Sequence, residues 1–169
     1  MASAATPPDY RIEPLDKRHD RSDFSSGADA LDRYLRTQAG QDSRRRVASC
    51  FVLVGPGQSV SGFYTLSATN IALTDVPPTL SKKLPKYPAV PGTLMGRLAV
   101  DRRYRGRGFG ELLWLDAFSR TLRSEIASYA FVVDAKDDAA TAFYERYRFM
   151  RLTGRRLFLP LAEIAALFA

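Results

Sequence analysis

A turn of alternating arginine and glycine, Arg105–Gly110, is the stretch of this sequence with the clearest capacity for chemistry. Its three glycines allow a tight backbone that can present N–H groups. The apolar segment before it, Leu94–Val100, predicts a strand, and the residues from Glu111 onward favour a helix. Unpaired N–H groups and the dipole at a helix start both attract anions. The turn is therefore a candidate phosphate site, with an ordinary surface turn as the alternative.

The spacing of the glycines excludes two common phosphate-binding motifs. The turn lacks the full dinucleotide fingerprint because its third glycine comes one residue early, and it lacks the Gly-Lys-Ser/Thr ending of a P-loop. The turn alone therefore does not identify a ligand.

Tyr144 lies on a predicted helix that follows a predicted strand. Its spacing alone favours a core aromatic with a tethered hydroxyl, although a phenol can also donate a proton or a hydrogen bond. No acidic residue stands out as a general base, and Glu145, Asp134 and Asp101 are interpreted as structural or solvated.

Composition narrows the class of protein. The 169 residues are 46% hydrophobic and 25% charged, which fits one domain over residues 1–169, with 1–9 as a flexible tail. No apolar run could span a bilayer, and the N-terminus lacks the pattern of a secretory signal. The single cysteine, Cys50, excludes an intrachain disulfide and favours a cytoplasmic location. With one cysteine and one histidine, we expect no metal site.

The chain is strongly basic, with a net charge of +7 and a sequence pI near 9.8. This excess favours a polyanionic partner such as nucleic acid, an acidic protein or a phosphorylated ligand, although a surplus that serves only solubility is the alternative.

The periodicity of the chain predicts a mixed α/β sheet, in which the turn and Tyr144 each follow a strand. A hairpin of two strands precedes a proline-bearing loop over 74–92, which is either a binding loop or a rigid surface excursion. The predicted helices are 28–38 (with Leu31, Tyr34 and Leu35 on its apolar face and Gly40 as its stop), 111–123, 139–147 (with Asp137-Asp138 as its cap) and 161–169. The predicted strands are a short one within 10–21, then 47–54, 59–69, 94–100, 129–135 and 149–160.

From about Phe24 to Pro160, the sequence resembles the GNAT N-acetyltransferases. Arg105–Gly110 fits their Arg/Gln-x-x-Gly-x-Gly/Ala signature, and Ala142–Glu145 looks like their Phe-Tyr segment. The resemblance implies a central mixed β-sheet flanked by helices, a single GNAT domain and acetyl-CoA as cofactor. It assigns the pantetheine arm and the pyrophosphate to Leu98, Ala99, Val100, Arg105, Gly106, Arg107, Gly108, Phe109 and Gly110, with Arg102 and Arg103 as further candidates for the adenosine phosphates.

A narrower resemblance is to the GNAT toxins of type II toxin–antitoxin modules. It is carried by Leu31–Leu35, Gly62–Ser67, Gly96–Asp101, Val133–Ala135, Phe143–Tyr144 and Leu157–Pro160. Such proteins acetylate the α-amine of aminoacyl-tRNA and so block translation. They are typically homodimers neutralised by a ribbon-helix-helix antitoxin. The resemblance makes Tyr144 the catalytic proton donor. One departure is visible: the family usually has Gly-Phe after the Phe-Tyr helix, where this chain has Arg148-Phe149.

The basic residues are candidates to bind tRNA in aggregate. They are Arg44, Arg45, Arg46, Lys82, Lys83, Lys86, Arg97, Arg148 and Arg151, with Arg155 and Arg156 beside them. Two other functions stay open: a GNAT enzyme that acts on a small amine or a protein N-terminus, and a non-catalytic module that binds acyl-CoA.

Overall fold

The computed structural model describes residues 6–167, and seven strands form one sheet within them. The strands are β1 (Arg11–Pro14), β2 (Ser49–Val54), β3 (Val60–Ala72), β4 (Ala89–Val100), β5 (Ala130–Asp134), β6 (Met150–Arg151) and β7 (Arg156–Pro160). Their order is β1-β2-β3-β4-β5-β7-β6. β4 and β5 pair in parallel, whereas the pairs β1–β2, β2–β3, β5–β7 and β6–β7 are antiparallel. The predicted mixed sheet with flanking helices is confirmed.

The helices are α1 (Asp29–Arg33), α2 (Ala39–Arg44), α3 (Pro78–Ser81), α4 (Phe109–Arg123), α5 (Asp138–Arg146) and α6 (Leu161–Leu167). A π-helical segment, Tyr34–Gln38, joins α1 to α2, and short 3₁₀ turns occur at Pro56–Gln58, Leu73–Asp75 and Arg102–Tyr104.

The first of two compact units contains the chain up to Ser67 together with Gly96–Ser119. Its core lies between β2, β3, the end of β4 and the α1–α2 segment. The side chains buried there include Phe24, Tyr34, Leu35, Ala39, Cys50, Val52, Phe63 and Ala99. Gly62 on β3 is required by close packing, because a Cβ there would meet Leu113 Cδ1 at 2.9 Å and the Ala99 carbonyl at 3.1 Å.

The second unit contains Ala68–Met95 and the chain from Arg120 onward. Its core consists of Ile71, Val76, Val90, Ala130, Val132 and Phe158. Leu73 and Leu80 of the proline-bearing loop pack against this cluster. The loop is therefore anchored to this core at Leu73 and Leu80, while its lysines remain exposed.

Three of the predicted boundaries are wrong. Gly40 does not end the first helix, which continues through α2 to Arg44. β4 begins at Ala89 and not near Leu94. The predicted strand 149–160 is two strands, β6 and β7, joined by a turn in which Gly154 has φ +57°.

Some predictions fall on the ends of the chain. The predicted tail 1–9 and helix 161–169 each extend outside the described residues 6–167. The prediction of a single domain over 1–169 stays a prediction. Within 6–167 no helix is long and apolar enough to cross a membrane, and no three His, Cys, Asp or Glu side chains are grouped as metal ligands.

Candidate active site

The glycine turn leads from β4 into the first turn of α4. Gly106 and Gly108 have φ of +80° and +76°, which favours glycine at both positions. The first helical hydrogen bond runs from the Leu112 N–H to the Gly108 carbonyl, 3.0 Å away. The three N–H groups from Phe109 to Glu111 therefore have no acceptor within the helix. A Cβ built on Gly106 or Gly108 would meet no atom within 4 Å, so an anion has room to approach the turn.

Buried Asp101 fixes the backbone just before this turn. Its carboxylate accepts hydrogen bonds from the Arg103 backbone N–H (2.9 Å) and guanidinium (2.9 and 3.0 Å) and from the Ser25 N–H (3.2 Å). Although burial raises the pKa of Asp101, the hydrogen bonds from Arg103 and Ser25 lower it overall. The interpretation of Asp101 as structural therefore has a geometric basis.

The arginines around the turn have different roles. Arg103 is held by Asp101, and Arg105 Nη2 donates to the Ser26 carbonyl over 2.6 Å. These contacts tie the turn to the loop Ser25–Gly27, a connection that the sequence gave no sign of. Arg107 is exposed, with its guanidinium carbon 5.3 Å from the centroid of the Tyr104 ring. Of these three side chains, Arg107 is the best placed to reach a bound phosphate.

Phe109 anchors the start of α4. Its side chain is buried, with its ring centroid 5.0 Å from that of Tyr10 and 6.2 Å from that of Tyr104. Its predicted contribution to cofactor binding therefore belongs to its backbone N–H, while its ring holds the turn in place.

Tyr144 lies on α5 in the second unit. The helix begins at Asp137, whose Oδ1 accepts the Ala140 N–H at 2.8 Å, as predicted. The Tyr144 ring lies 5.4 Å, between centroids, from both Phe143 and Phe149. Burial raises the pKa of the Tyr144 phenol above its ordinary value of 10.0. The phenol therefore keeps its proton at neutral pH, as a proton donor must.

α5 ends in a Schellman motif. The Phe149 N–H donates to the Tyr144 carbonyl (3.2 Å) and the Arg148 N–H donates to the Glu145 carbonyl (3.1 Å). Arg148 has φ +72°, in the left-handed region that normally favours glycine. The turn is therefore formed despite the absence of the glycine that the family usually has there, and the strain falls on Arg148.

The candidate tRNA-binding residues occupy both units. In the first, Arg44–Arg46 is exposed at the end of α2, where Arg46 has φ +59°. In the second, Lys82, Lys83 and Lys86 are exposed after α3. Three others form ion pairs within the chain: Arg151 with Glu145 (3.0 Å), Arg155 with Asp138 (3.3 Å) and Arg156 with Asp134 (2.8 Å).

Arg97, another of these candidates, lies on β4 with its guanidinium carbon 3.7 Å from the centroid of the Tyr34 ring. The Tyr34 hydroxyl donates to Asp42 Oδ2 at 2.9 Å. Sequence reasoning assigned Tyr34 only to the apolar face of a helix and gave Asp42 no role. The available signal was a tyrosine on that face, whose hydroxyl needs a partner when buried.

The fold and the glycine turn define an acyl-CoA-dependent N-acyltransferase, and sequence comparison agrees. The Acetyltransferase (GNAT) domain family matches residues 92–158. A tRNA-acetylating toxin of Mycobacterium tuberculosis (strain ATCC 25618 / H37Rv) is 39% identical over 132 residues, 77% of this chain and 78% of that protein. A probable toxin TacT of Sinorhizobium fredii (strain NBRC 101917 / NGR234) is 30% identical over 92% of this chain and 93% of that protein. The chain belongs to the GNAT acetyltransferase family.

Solved structures extend the likeness to the whole fold. A tyrosine-to-phenylalanine mutant of KacT superposes with a TM-score of 0.87 at 28% identity, covering 95% of this chain and 99% of that one. AtaT complexed with acetyl-methionyl-tRNAfMet gives a TM-score of 0.85 at 30% identity, covering 95% and 100%. These findings confirm the predicted GNAT fold and the predicted resemblance to the toxin subgroup.

Proposed function

We propose that this chain transfers the acetyl group of acetyl-CoA to the α-amine of aminoacyl-tRNA and so acts as the translation-blocking toxin of a toxin–antitoxin module. The observation that carries the proposal is the open glycine turn at the start of α4, in a chain 39% identical to a tRNA-acetylating toxin. The turn supports acetyl-CoA as the acyl donor, and the relative supports aminoacyl-tRNA as the acceptor.

The residues present fit acetyl-CoA. A pyrophosphate needs converging N–H donors and positive charge, and the turn offers the first-turn N–H groups of α4 together with the exposed Arg107. The backbone of Leu98–Val100 at the end of β4 can pair with the amide groups of the pantetheine arm, as a strand edge pairs with a peptide. Gly106 and Gly108 keep the approach free of side chains. AtaTR has been solved with acetyl-CoA bound, and it is similar to this chain with a TM-score of 0.79.

Bound acetyl-CoA supplies a thioester, whose sulfur must leave as the amine attacks. We assign to Tyr144 the proton, or the hydrogen bond, that this sulfur requires. Burial keeps the phenol protonated, and the packing of Phe143 and Phe149 fixes its ring. The α-amine of an aminoacyl ester is more acidic than an ordinary amine, so the reaction can proceed without a dedicated general base.

The net charge of +7 supports a polyanionic acceptor. Exposed Arg44–Arg46 and the lysines after α3 provide charge in both units, and Arg107 serves the cofactor. Arg151 and Arg156 contribute less, since their ion pairs with Glu145 and Asp134 already neutralise them in part. Binding to tRNA should therefore weaken steeply as salt rises.

The same comparisons support an antitoxin as a partner of this protein. AtaT has been solved bound to the C-terminus of the antitoxin AtaR, and the KacTA complex has been solved with DNA. We expect a cognate antitoxin for this chain, of the ribbon-helix-helix type, together with a homodimeric toxin in the cytoplasm, where charged tRNA is found.

The test uses labelled acetyl-CoA with bulk aminoacyl-tRNA, a polyamine mixture and a peptide with a free N-terminus. We expect the label on aminoacyl-tRNA, and a decrease in kcat of about 10²–10⁴-fold for Tyr144→Phe. Tyr147→Phe, the same change three residues away, is the matched control and should stay active. Label only on the polyamines or the peptide would establish the small-amine or N-terminal acetyltransferase, and acetyl-CoA binding without transfer would establish the binding module.

A further inference from the structure

Arg97 is held in place by a ring and not by an acceptor. Its guanidinium lies over Tyr34 at 3.7 Å, the side chain is half-buried, and within residues 6–167 its N–H groups have no hydrogen-bond or ion-pair partner. A half-buried guanidinium usually pairs with carboxylates or carbonyls. The guanidinium carries a planar fork of N–H donors, which is therefore available for an external anion.

The ring beneath Arg97 is fixed. Tyr34 is buried, its hydroxyl donates to Asp42 Oδ2 at 2.9 Å, and Gln38 Nε2 holds the other oxygen of Asp42 at 2.9 Å. The Tyr34 ring also stacks on Phe63, with 6.3 Å between centroids. These contacts fall on the π-helical segment Tyr34–Gln38, and π-helical turns occur frequently at functional sites.

Position along β4 indicates what this cation faces. Side chains alternate along a strand, so Arg97 shares a face with Ala99, which is buried in the same cluster as Tyr34. Val100 is on the opposite face, with its Cγ2 4.0 Å from a Cβ built on Gly110 in α4. Arg97 therefore offers a positive charge next to the segment assigned to the pantetheine arm, on the face away from α4.

We propose that Arg97 binds a phosphodiester of the 3′-terminal CCA end of aminoacyl-tRNA, and that the ring of Tyr34 is a positioning group for it. The inference rests on the proposed function and names how that site recognises its substrate. The amino acid that carries the reacting amine is esterified through its carboxyl group to the terminal adenosine, so the phosphodiester on the 5′ side of that adenosine comes closest to the acetyl group. Arginine suits this group because its planar fork matches two phosphate oxygens.

The test compares three acceptors that carry the same amino acid: aminoacyl-adenosine with no phosphodiester, aminoacyl-CpA with one, and aminoacyl-tRNA. We expect Arg97→Gln to reduce kcat/KM by about 10- to 100-fold for the last two, since hydrogen bonds to charged groups contribute about 1.5–3 kcal/mol. Activity on aminoacyl-adenosine and the KM for acetyl-CoA should stay unchanged. Arg33→Gln, which removes an exposed charge from α1, is the matched control and should leave the reaction with aminoacyl-CpA unaffected.

Equal losses on all three acceptors would overturn the proposal, and so would a raised KM for acetyl-CoA, which would place Arg97 on the cofactor. If the wild-type enzyme acetylates none of the three acceptors, the proposed function itself fails. That outcome is distinguishable from an equal loss on all acceptors and from a raised KM for acetyl-CoA, because both of those are measured on an active wild-type enzyme.

The positioning role is tested at Tyr34. Tyr34→Phe keeps the ring and should retain most of the activity, whereas Tyr34→Leu removes the stack and should reproduce the loss confined to acceptors with a phosphodiester. A variant that is partly unfolded lowers the rates with all acceptors equally, so this split between acceptors separates positioning from folding. An equal effect of Tyr34→Leu on aminoacyl-adenosine and aminoacyl-CpA would remove Tyr34 from the proposal.

Discussion

Arg148 stands where glycine would be the less strained residue, and replacing it should stabilise the protein. It occupies the left-handed position of the Schellman motif that ends α5, with φ +72°. The side chain is exposed and forms no hydrogen bond or ion pair within the described residues 6–167. Arg148→Gly therefore removes backbone strain without removing an interaction of the side chain.

The size of the gain follows from two opposing effects. A left-handed backbone costs an ordinary L-residue about 1–2 kcal/mol. Glycine lowers that cost but loses about 0.5–1 kcal/mol through the greater entropy of its unfolded chain. The net gain is about 0.5–1 kcal/mol. For a chain of this length, that gain corresponds to a rise in Tm of about 1–4 °C.

Two matched variants isolate the backbone contribution. Arg148→Ala removes the same charge but keeps a Cβ in the strained conformation, so its Tm should stay near that of the wild type. Arg146→Gly lies two residues earlier, at the end of α5 with ordinary helical geometry, and should destabilise the protein by about 1 kcal/mol. Thermal unfolding followed by circular dichroism gives the Tm of each of the three variants and so ranks their stabilities. A Tm for Arg148→Gly no higher than that for Arg148→Ala would refute the reasoning.

Three further predictions concern the other arginine cap, the glycine turn and the acid stability of β1. Arg46→Gly should also raise the Tm, because Arg46 has φ +59° after α2, and it should make tRNA binding less sensitive to salt in a filter-binding titration. Gly108→Ala should weaken acetyl-CoA binding, measured by calorimetry, since φ +76° strains any Cβ there; binding as tight as wild type would contradict the assigned turn. Hydrogen bonds from His19 and Arg18 lower the pKa of Glu13 from 4.5 to about 2, so its stabilisation is present above pH 4.5 and lost as pH falls through about 2. Glu13→Gln should therefore lower the free energy of unfolding in urea at pH 7, and that free energy should then fall less steeply between pH 4.5 and about 2 than it does in the wild type.

The glycine turn and its two flanking elements could be predicted because their signals are local. Glycine spacing, a β-branched strand end and helix-forming residues are all read within about twenty positions, and α4 ends at Arg123 as predicted. Asp137 was identified as a cap for the same reason. Contacts between distant segments, such as that of Arg105 with Ser26, left no local signal.

The errors at element boundaries have physical causes of the same kind. A glycine within a helix costs about 1 kcal/mol, and buried packing can override that preference. At Gly40 the helix continues because Ala39 beside it is completely buried in the core of the first unit. At residues 152–156, by contrast, a glycine does interrupt the predicted element. The mixture of apolar and basic residues predicted one continuous strand, and the clearest sign of the hairpin there was a single glycine, Gly154, with φ +57°.

The cap at Arg148 also connects stability to the proposed chemistry. The same motif brings Phe149 against Tyr144, because the residue after the left-handed position packs back on the last turn of the helix. A glycine would form this motif with less strain, yet the chain carries arginine here and again at Arg46. Strain persists in a fold where the surrounding structure maintains it, and it is often associated with function. Among the described residues three non-glycine positions have positive φ, Arg46, Gln58 and Arg148, and the two arginines carry a positive charge exposed to solvent, as a polyanionic substrate requires. If Arg148 and Arg46 bind tRNA, their glycine variants will be more stable and bind tRNA less tightly. A gain in stability with unchanged tRNA affinity would instead mean that the two charges serve only solubility.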